Sequence, residues 1–100
     1  MYMAVDTAFL SKVKTALRVS FDTLDSQISD LIEEAILDLT ATADIKTFDS
    51  SSADPMQTGA VISYVSYKWF NDEKYFKSYN DMKTKMALSG QYRSVANDEE

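Results

Sequence analysis

The chain has 100 residues and a formal net charge of −6, and it contains neither Cys nor His. A sequence without these residues has no disulfide, no thiolate nucleophile and no cysteine zinc site, and it lacks the commonest general base. One Pro and two Gly leave little room for the many tight turns of a β-sandwich or a β-barrel. Composition therefore predicts one small all-α domain that is not an enzyme and uses no cofactor or metal.

Charge is distributed unevenly along the chain. Residues 1–21 carry a balance of +2, residues 22–54 carry nine acids against Lys46 alone, residues 55–93 carry +3 and residues 94–100 carry −3. An uneven distribution of charge affects how a protein associates with other molecules rather than which fold it adopts. The sequence shows no signal-peptide layout and no apolar run long enough to cross a bilayer, so we expect no membrane partner.

The first predicted helix runs from Asp6 to Arg18, with Asp6 or Thr7 as its N-cap. Apolar residues recur along it at helical spacing and predict the face that packs on the core. This face comprises Phe9, Val13, Ala16 and Leu17, with Leu10 at its edge. Residues 20–23 are predicted to form a short connection.

The second predicted helix, capped by Thr23 or Asp25, has the most regular apolar pattern in the chain. Its apolar face comprises Ile28, Leu31, Ile32, Ala35, Ile36 and Leu39. The opposite side is acidic and comprises Asp30, Glu33, Glu34 and Asp38. Leu37 points into this acidic side. A single exposed Leu is common on protein surfaces, and the alternative is that Leu37 contacts a neighbouring molecule.

Residues 46–54 are predicted to form a loop from which Phe48 packs onto the core. Asp54 and Pro55 favour a helix start, because Asp is a good N-cap and Pro loses no hydrogen bond at the first position. Residues 56–70 are apolar on nearly every side, which is typical of a helix that is central or shared with a partner. Gly59 in this helix would allow another helix to approach closely, and the alternative is that it only weakens the helix, by up to about 1 kcal/mol.

A fourth helix is predicted from Asp72 to Ser89, and Gly90 suits the position that ends it. Its apolar stripe comprises Tyr75, Tyr79, Met82 and Met86, and its flanking bases are Lys74, Lys77 and Lys85. The fold prediction is thus a bundle of about four helices in a single domain, residues 1–90, followed by a disordered acidic tail, residues 91–100.

Two series of motifs occur in order along the chain. The first reads Val13-Lys14-x-x-Leu17-Arg18-Val19, then Phe21-Asp22-x-x-Asp25-x-x-Ile28-x-x-Leu31-Ile32-x-x-Ala35. The second is the apolar helix led by Pro55, which ends in Trp69-Phe70-Asn71. Their order and spacing resemble the small head–tail connector proteins of tailed bacteriophages, over roughly residues 7–90 of this chain.

The resemblance implies a structural adaptor without a reaction, located at the head–tail junction of the virion and present in the bacterial cytoplasm during assembly. Such an adaptor forms a homo-oligomeric ring, expected to be a dodecamer, beneath the portal protein after DNA packaging. It then docks the stopper or tail-completion protein. A pI of about 4.5 argues against autonomous, sequence-specific binding of nucleic acid.

In a ring each subunit offers two different faces. The candidate subunit or partner interface therefore joins the acidic side of the second helix to the bases of the fourth. It comprises Asp30, Glu33, Glu34, Leu37, Asp38, Lys74, Lys77 and Lys85. The competing interpretations are that these faces neutralise each other within one subunit, or that they face water.

The acidic segment 22–54 also supports an alternative function. The chain would then be an acidic helical inhibitor or DNA-mimic regulatory protein that occupies the basic site of a partner. Binding of that kind should depend strongly on salt, because charge supplies most of it.

Overall fold

The computed structural model describes residues 5–42, 48 and 53–89 of the chain. Within these residues it consists of four α-helices and no strand, which confirms the predicted all-α bundle. The helices are α1 (Thr7–Leu17), α2 (Asp25–Thr42), α3 (Pro55–Phe70) and α4 (Glu73–Leu88). The predictions for Gly90 and for the tail 91–100 concern residues outside those described. None of the described helices has the length and apolar character required to cross a membrane.

Aspartate side chains cap the start of three of the helices: Asp6, one of the two candidates for α1, Asp54, as predicted, and Asp72, for which the sequence predicts only that a helix starts there. The N–H of Phe9 donates to the Asp6 carboxylate at 3.2 Å, and the N–H of Lys74 donates to Asp72 at 3.0 Å. At the start of α3, Gln57 N–H donates to Asp54 Oδ1 at 2.9 Å, and Asp54 N–H donates to Gln57 Oε1 at 3.0 Å. This reciprocal capping box satisfies two backbone donors at once.

Asp54→Ala should lower the free energy of unfolding by about 1 kcal/mol, because it leaves the N–H of Gln57 without its acceptor. Urea denaturation followed by circular dichroism would measure the loss. Asp54→Ser is the matched control, since serine is an equally good N-cap, and it should retain most of the stability. Equal losses for both variants would contradict a capping role.

Two helices end at residues with left-handed backbone. Arg18 has φ 61° after α1 and Asn71 has φ 55° after α3. The N–H of Asn71 donates to the carbonyl of Tyr67 at 2.8 Å, and Val19 N–H donates to Lys14 O at 2.9 Å. Asn adopts this conformation readily, whereas for Arg it carries a steric cost, so the contacts around Arg18 must hold it there.

Helix α3 lies at the centre of the molecule and packs against each of the other three helices. This placement explains why it is apolar on nearly every side. Phe48 is buried against the same core, as predicted. A Cβ placed on Gly59 would lie 3.4 Å from the Sδ and Cε of Met82, so α4 lies close to α3 here, although a small side chain would meet only the flexible end of one residue. The buried apolar side chains are Phe9, Val13, Leu17, Ile28, Ile32, Ala35, Ile36, Leu39, Phe48, Ala60, Val61, Tyr64, Val65, Tyr79 and Met86.

The prediction for one residue of α1 is wrong. Ala16 was expected on the buried face, but it is exposed. The buried face of α1 is rotated toward Leu10 and Lys14, both of which are partly buried. The reason is that Lys14 is drawn toward the start of α2, as the ion pairs described below show.

Candidate functional site

The outer face of α2, which we define as Asp30, Glu33 and Leu37, lies opposite the buried side of the helix, with Glu33 at its edge. Asp30 is exposed, and 66% of the Leu37 surface is accessible. Glu33 is partly buried, and its Oε2 atom has no hydrogen-bond partner among the described residues. The sequence correctly places Leu37 on the exposed side of the helix, among acidic residues.

The other two predicted acidic residues, Glu34 and Asp38, have partners inside the chain. The Tyr64 hydroxyl donates to Glu34 at 2.5 Å, and Lys68 Nζ lies 3.5 Å from the same carboxylate oxygen. The Tyr79 hydroxyl donates to Asp38 Oδ2, and Lys83 Nζ lies 3.2 Å from that oxygen. We call these six residues the polar seam: Glu34, Asp38, Tyr64, Lys68, Tyr79 and Lys83.

The two halves of the polar seam are joined through their aromatic rings. The rings of Tyr64 and Tyr79 meet edge to face, with centroids 5.1 Å apart and an interplanar angle of 66°. Lys68 Nζ lies 5.7 Å from the Tyr64 ring centroid, and Lys83 Nζ lies 5.1 Å from that of Tyr79. Each lysine therefore interacts with both a carboxylate and a tyrosine ring, which holds α2 against the α3–α4 hairpin.

The structure therefore connects the acidic side of α2 to lysines other than those we expected. The partners are Lys68 of α3 and Lys83 of α4, whereas Lys74, Lys77 and Lys85 are exposed. Lys77 lies 3.8 Å from Asp81 within α4. We define the outer face of α4 as its exposed stripe, which comprises Lys74, Ser78, Asp81, Lys85 and Leu88.

A spacing of four residues was the signal for the polar seam in the sequence. Glu34 and Asp38, Tyr64 and Lys68, and Tyr79 and Lys83 are each four apart. Residues at this spacing share one face of a helix. The two carboxylates of α2 could have been paired with the tyrosine and lysine of α3 and of α4 on this basis. When each helix is considered alone, however, the carboxylates are predicted to face water.

Both tyrosines of the polar seam hold their protons more tightly than usual. Burial, followed by the hydrogen bond to Asp38, raises the pKa of Tyr79 well above 10.0. Burial and then the hydrogen bond to Glu34 raise the pKa of Tyr64 in the same direction. An ionised tyrosine beside a carboxylate would be repelled, so the neutral forms belong to the folded state.

The stability of the protein should therefore fall as the pH rises above about 10. A tyrosine whose pKa is raised in the folded state contributes its full stabilisation below the pKa of the unfolded chain, about 10. This stabilisation is lost as the pH rises from there toward the pKa of the folded state. Urea denaturation at several pH values from about 8 to about 11.5 would measure this. Tyr79→Phe should give a shallower decline, and an identical pH profile for this variant would contradict the assignment.

A second charged cluster links α1 to the start of α2. Lys14 Nζ lies 2.9 Å from Asp22 Oδ1 and 2.7 Å from Asp25 Oδ1. These contacts, first that with Asp25 and then that with Asp22, raise the pKa of Lys14. We call Lys14, Asp22 and Asp25 the lysine clamp. It closes the turn that contains the left-handed Arg18.

Among the described residues, no group of three or more metal-binding side chains comes together. The grooves on the surface are open, and the strongest polar interactions join helices to one another. The arrangement is that of a helical module with two exposed faces of opposite charge. No family model matches the chain, and the comparisons with curated proteins and with solved structures likewise find no match.

Proposed function

We propose that this chain is a structural subunit of a head–tail connector of a tailed bacteriophage. In this function it would assemble as a ring beneath the portal and dock the stopper or tail-completion protein. The observation that carries the proposal is the lysine clamp. Its three residues all belong to the first motif series, in which the sequence resembles the connector family, and they contact one another directly.

The neighbouring motif residues serve the same local structure. Leu17 is buried in the core, and Arg18 ends α1 in the left-handed conformation. In the second series, Pro55 occupies the first position of α3 and Asn71 ends that helix. The motif residues thus have linked structural tasks, which supports a resemblance deeper than a shared helical periodicity.

The pairing of acidic residues favours an adaptor over the acidic inhibitor. A protein that imitates DNA must present an uncompensated array of negative charge to a basic site. Among the described residues of α2, Asp25, Glu34 and Asp38 each have a lysine partner, which leaves Asp30 and Glu33 without one. Much of the negative charge of segment 22–54 is therefore used inside the fold.

The test is a tagged pull-down from cells that produce the phage, with mass spectrometry of the proteins that co-purify and the tag alone as the control. We expect the portal and tail-completion proteins to be recovered. Recovery of a single host nuclease, polymerase or repressor without virion proteins would overturn the adaptor and favour the inhibitor.

A further inference from the structure

The outer faces of α2 and α4 carry charges that no ion pair among the described residues neutralises. Asp30 on α2 has no ion pair among the described residues, and neither Lys74 nor Lys85 on α4 has one. The excess is negative on one face and positive on the other. The two faces are therefore complementary to each other.

Each of these faces also exposes a large apolar side chain. Leu37 is 66% exposed on α2, and Leu88 is 81% exposed on α4. Asp30 and Leu37 are seven residues apart, about two helical turns, so they lie on one line along the helix surface. An apolar contact flanked by opposite charges has the composition of a specific protein–protein interface, in which burial supplies affinity and charge supplies orientation.

Asp30 borders a groove that suits the side chain of a lysine. The groove is lined by Gln27, Asp30, Leu31, Lys68 and Trp69. Lysine places its aliphatic stem along apolar surface and keeps its ammonium group at a polar edge. Leu31 and Trp69 provide the apolar wall, and the carboxylate of Asp30 provides the counter-charge. Lys68 of the same groove is already paired with Glu34.

We propose that the outer face of α2 docks onto the outer face of α4 in a second copy of this chain. The inference rests on the proposed function, because this contact would join neighbouring subunits of the ring. Because the two faces differ, the contact is heterologous, and its repetition closes a ring or extends an open chain. Glu34 and Asp38, which are committed to the polar seam, take no part in it.

Cysteine cross-linking tests the contact directly, because the chain has no native Cys. Leu37→Cys and Ser78→Cys variants are mixed and treated with a short bismaleimide, and cross-linked dimers are counted by mass spectrometry. The control pairs Leu37→Cys with Ser11→Cys, an exposed position on α1. A contact between the two faces would hold the two thiols close together and raise their effective concentration. We therefore expect at least about tenfold more dimer than in the control.

Charge exchange then identifies the faces. Asp30→Lys, placed in the Leu37→Cys chain, should reduce the yield about tenfold, and so should Lys74→Glu with Lys85→Glu in the Ser78→Cys chain. Mixing the two reversed chains should restore the yield. Unchanged circular dichroism would show that each variant is folded. The proposal is overturned by a yield equal to that of the α1 control, by failed restoration, or by preferential Leu37→Cys pairing with itself.

The two proposals can fail separately. Cross-linking that follows the charge exchange, together with a pull-down that lacks virion proteins, would retain the self-contact and remove the connector function. Recovery of portal and tail-completion proteins without cross-linking above the control would do the reverse.

Discussion

Asp38→Ala should lower the free energy of unfolding by about 2–3 kcal/mol, because it leaves the Tyr79 hydroxyl buried without an acceptor. Tyr79 is 0% exposed and the Asp38 side chain is 31% exposed, so water reaches the orphaned hydroxyl less readily than it reaches the half-exposed site of Glu34. Lys83 would lose its ion pair with Asp38 in the same step. The measurement is urea denaturation near neutral pH, with Glu34→Ala as the matched control.

Glu34→Ala should cost less, about 1 kcal/mol, since the Glu34 side chain is half-exposed and water can reach its surroundings. Adding Tyr79→Phe to Asp38→Ala removes the orphaned hydroxyl and should recover part of the loss. If Tyr79→Phe destabilises the Asp38→Ala variant by as much as it destabilises the parent protein, the two groups do not interact.

Ile32→Ala should lower the free energy of unfolding by about 3 kcal/mol. It removes fully buried side-chain atoms and leaves a cavity into which the surrounding side chains relax only partly. Ile32 is 0% exposed at the middle of α2. Leu37→Ala is the control on the same helix, because it also replaces a large aliphatic side chain with alanine but at an exposed position.

Leu37→Ala should stay within about 0.5 kcal/mol of the parent protein. Both variants are compared by thermal and urea denaturation of dilute samples, in which a contact between copies makes no contribution. A loss at Leu37 comparable with that at Ile32 would mean that Leu37 supports the fold of the single chain. In that case it would not be free to bind a neighbour.

Local sequence signals account for most of the fold. Asp6, Asp54 and Asp72 each precede a periodic segment, and each accepts a backbone hydrogen bond at the start of a helix. The central position of α3 follows from its apolar residues, which occupy nearly every side of the helix. These features could be predicted because each depends on residues within one or two helical turns.

The polar seam could not be found in this way, because its partners are far apart in the sequence. Tyr64 lies 30 residues from Glu34, and Tyr79 lies 41 residues from Asp38. A charged residue on a single helix is assigned to solvent unless its partner is known. The same limit explains Ala16, since the buried side of α1 depends on where Lys14 meets α2.

The spacing of acidic residues along α2 has a consequence for its register. Asp30, Glu34 and Asp38 follow one another at intervals of four. A slide by four residues, about 6 Å, would place Asp30 opposite Tyr64 and Glu34 opposite Tyr79. Leu24, Ile28, Leu31, Ile32 and Ala35 would then occupy the positions of Ile28, Ile32, Ala35, Ile36 and Leu39.

The acidic residues of α2 thus do not distinguish the observed register from the one next to it. The apolar face does, because Leu31 would have to fit the fully buried site of Ala35, and Ala35 would leave a cavity at the fully buried site of Leu39. The lysine clamp favours the same register, since a slide would carry Asp22 and Asp25 away from Lys14 and bring Ser26 and Ser29 toward it. One small residue in the core, Ala35, therefore helps to fix the alignment of a whole helix.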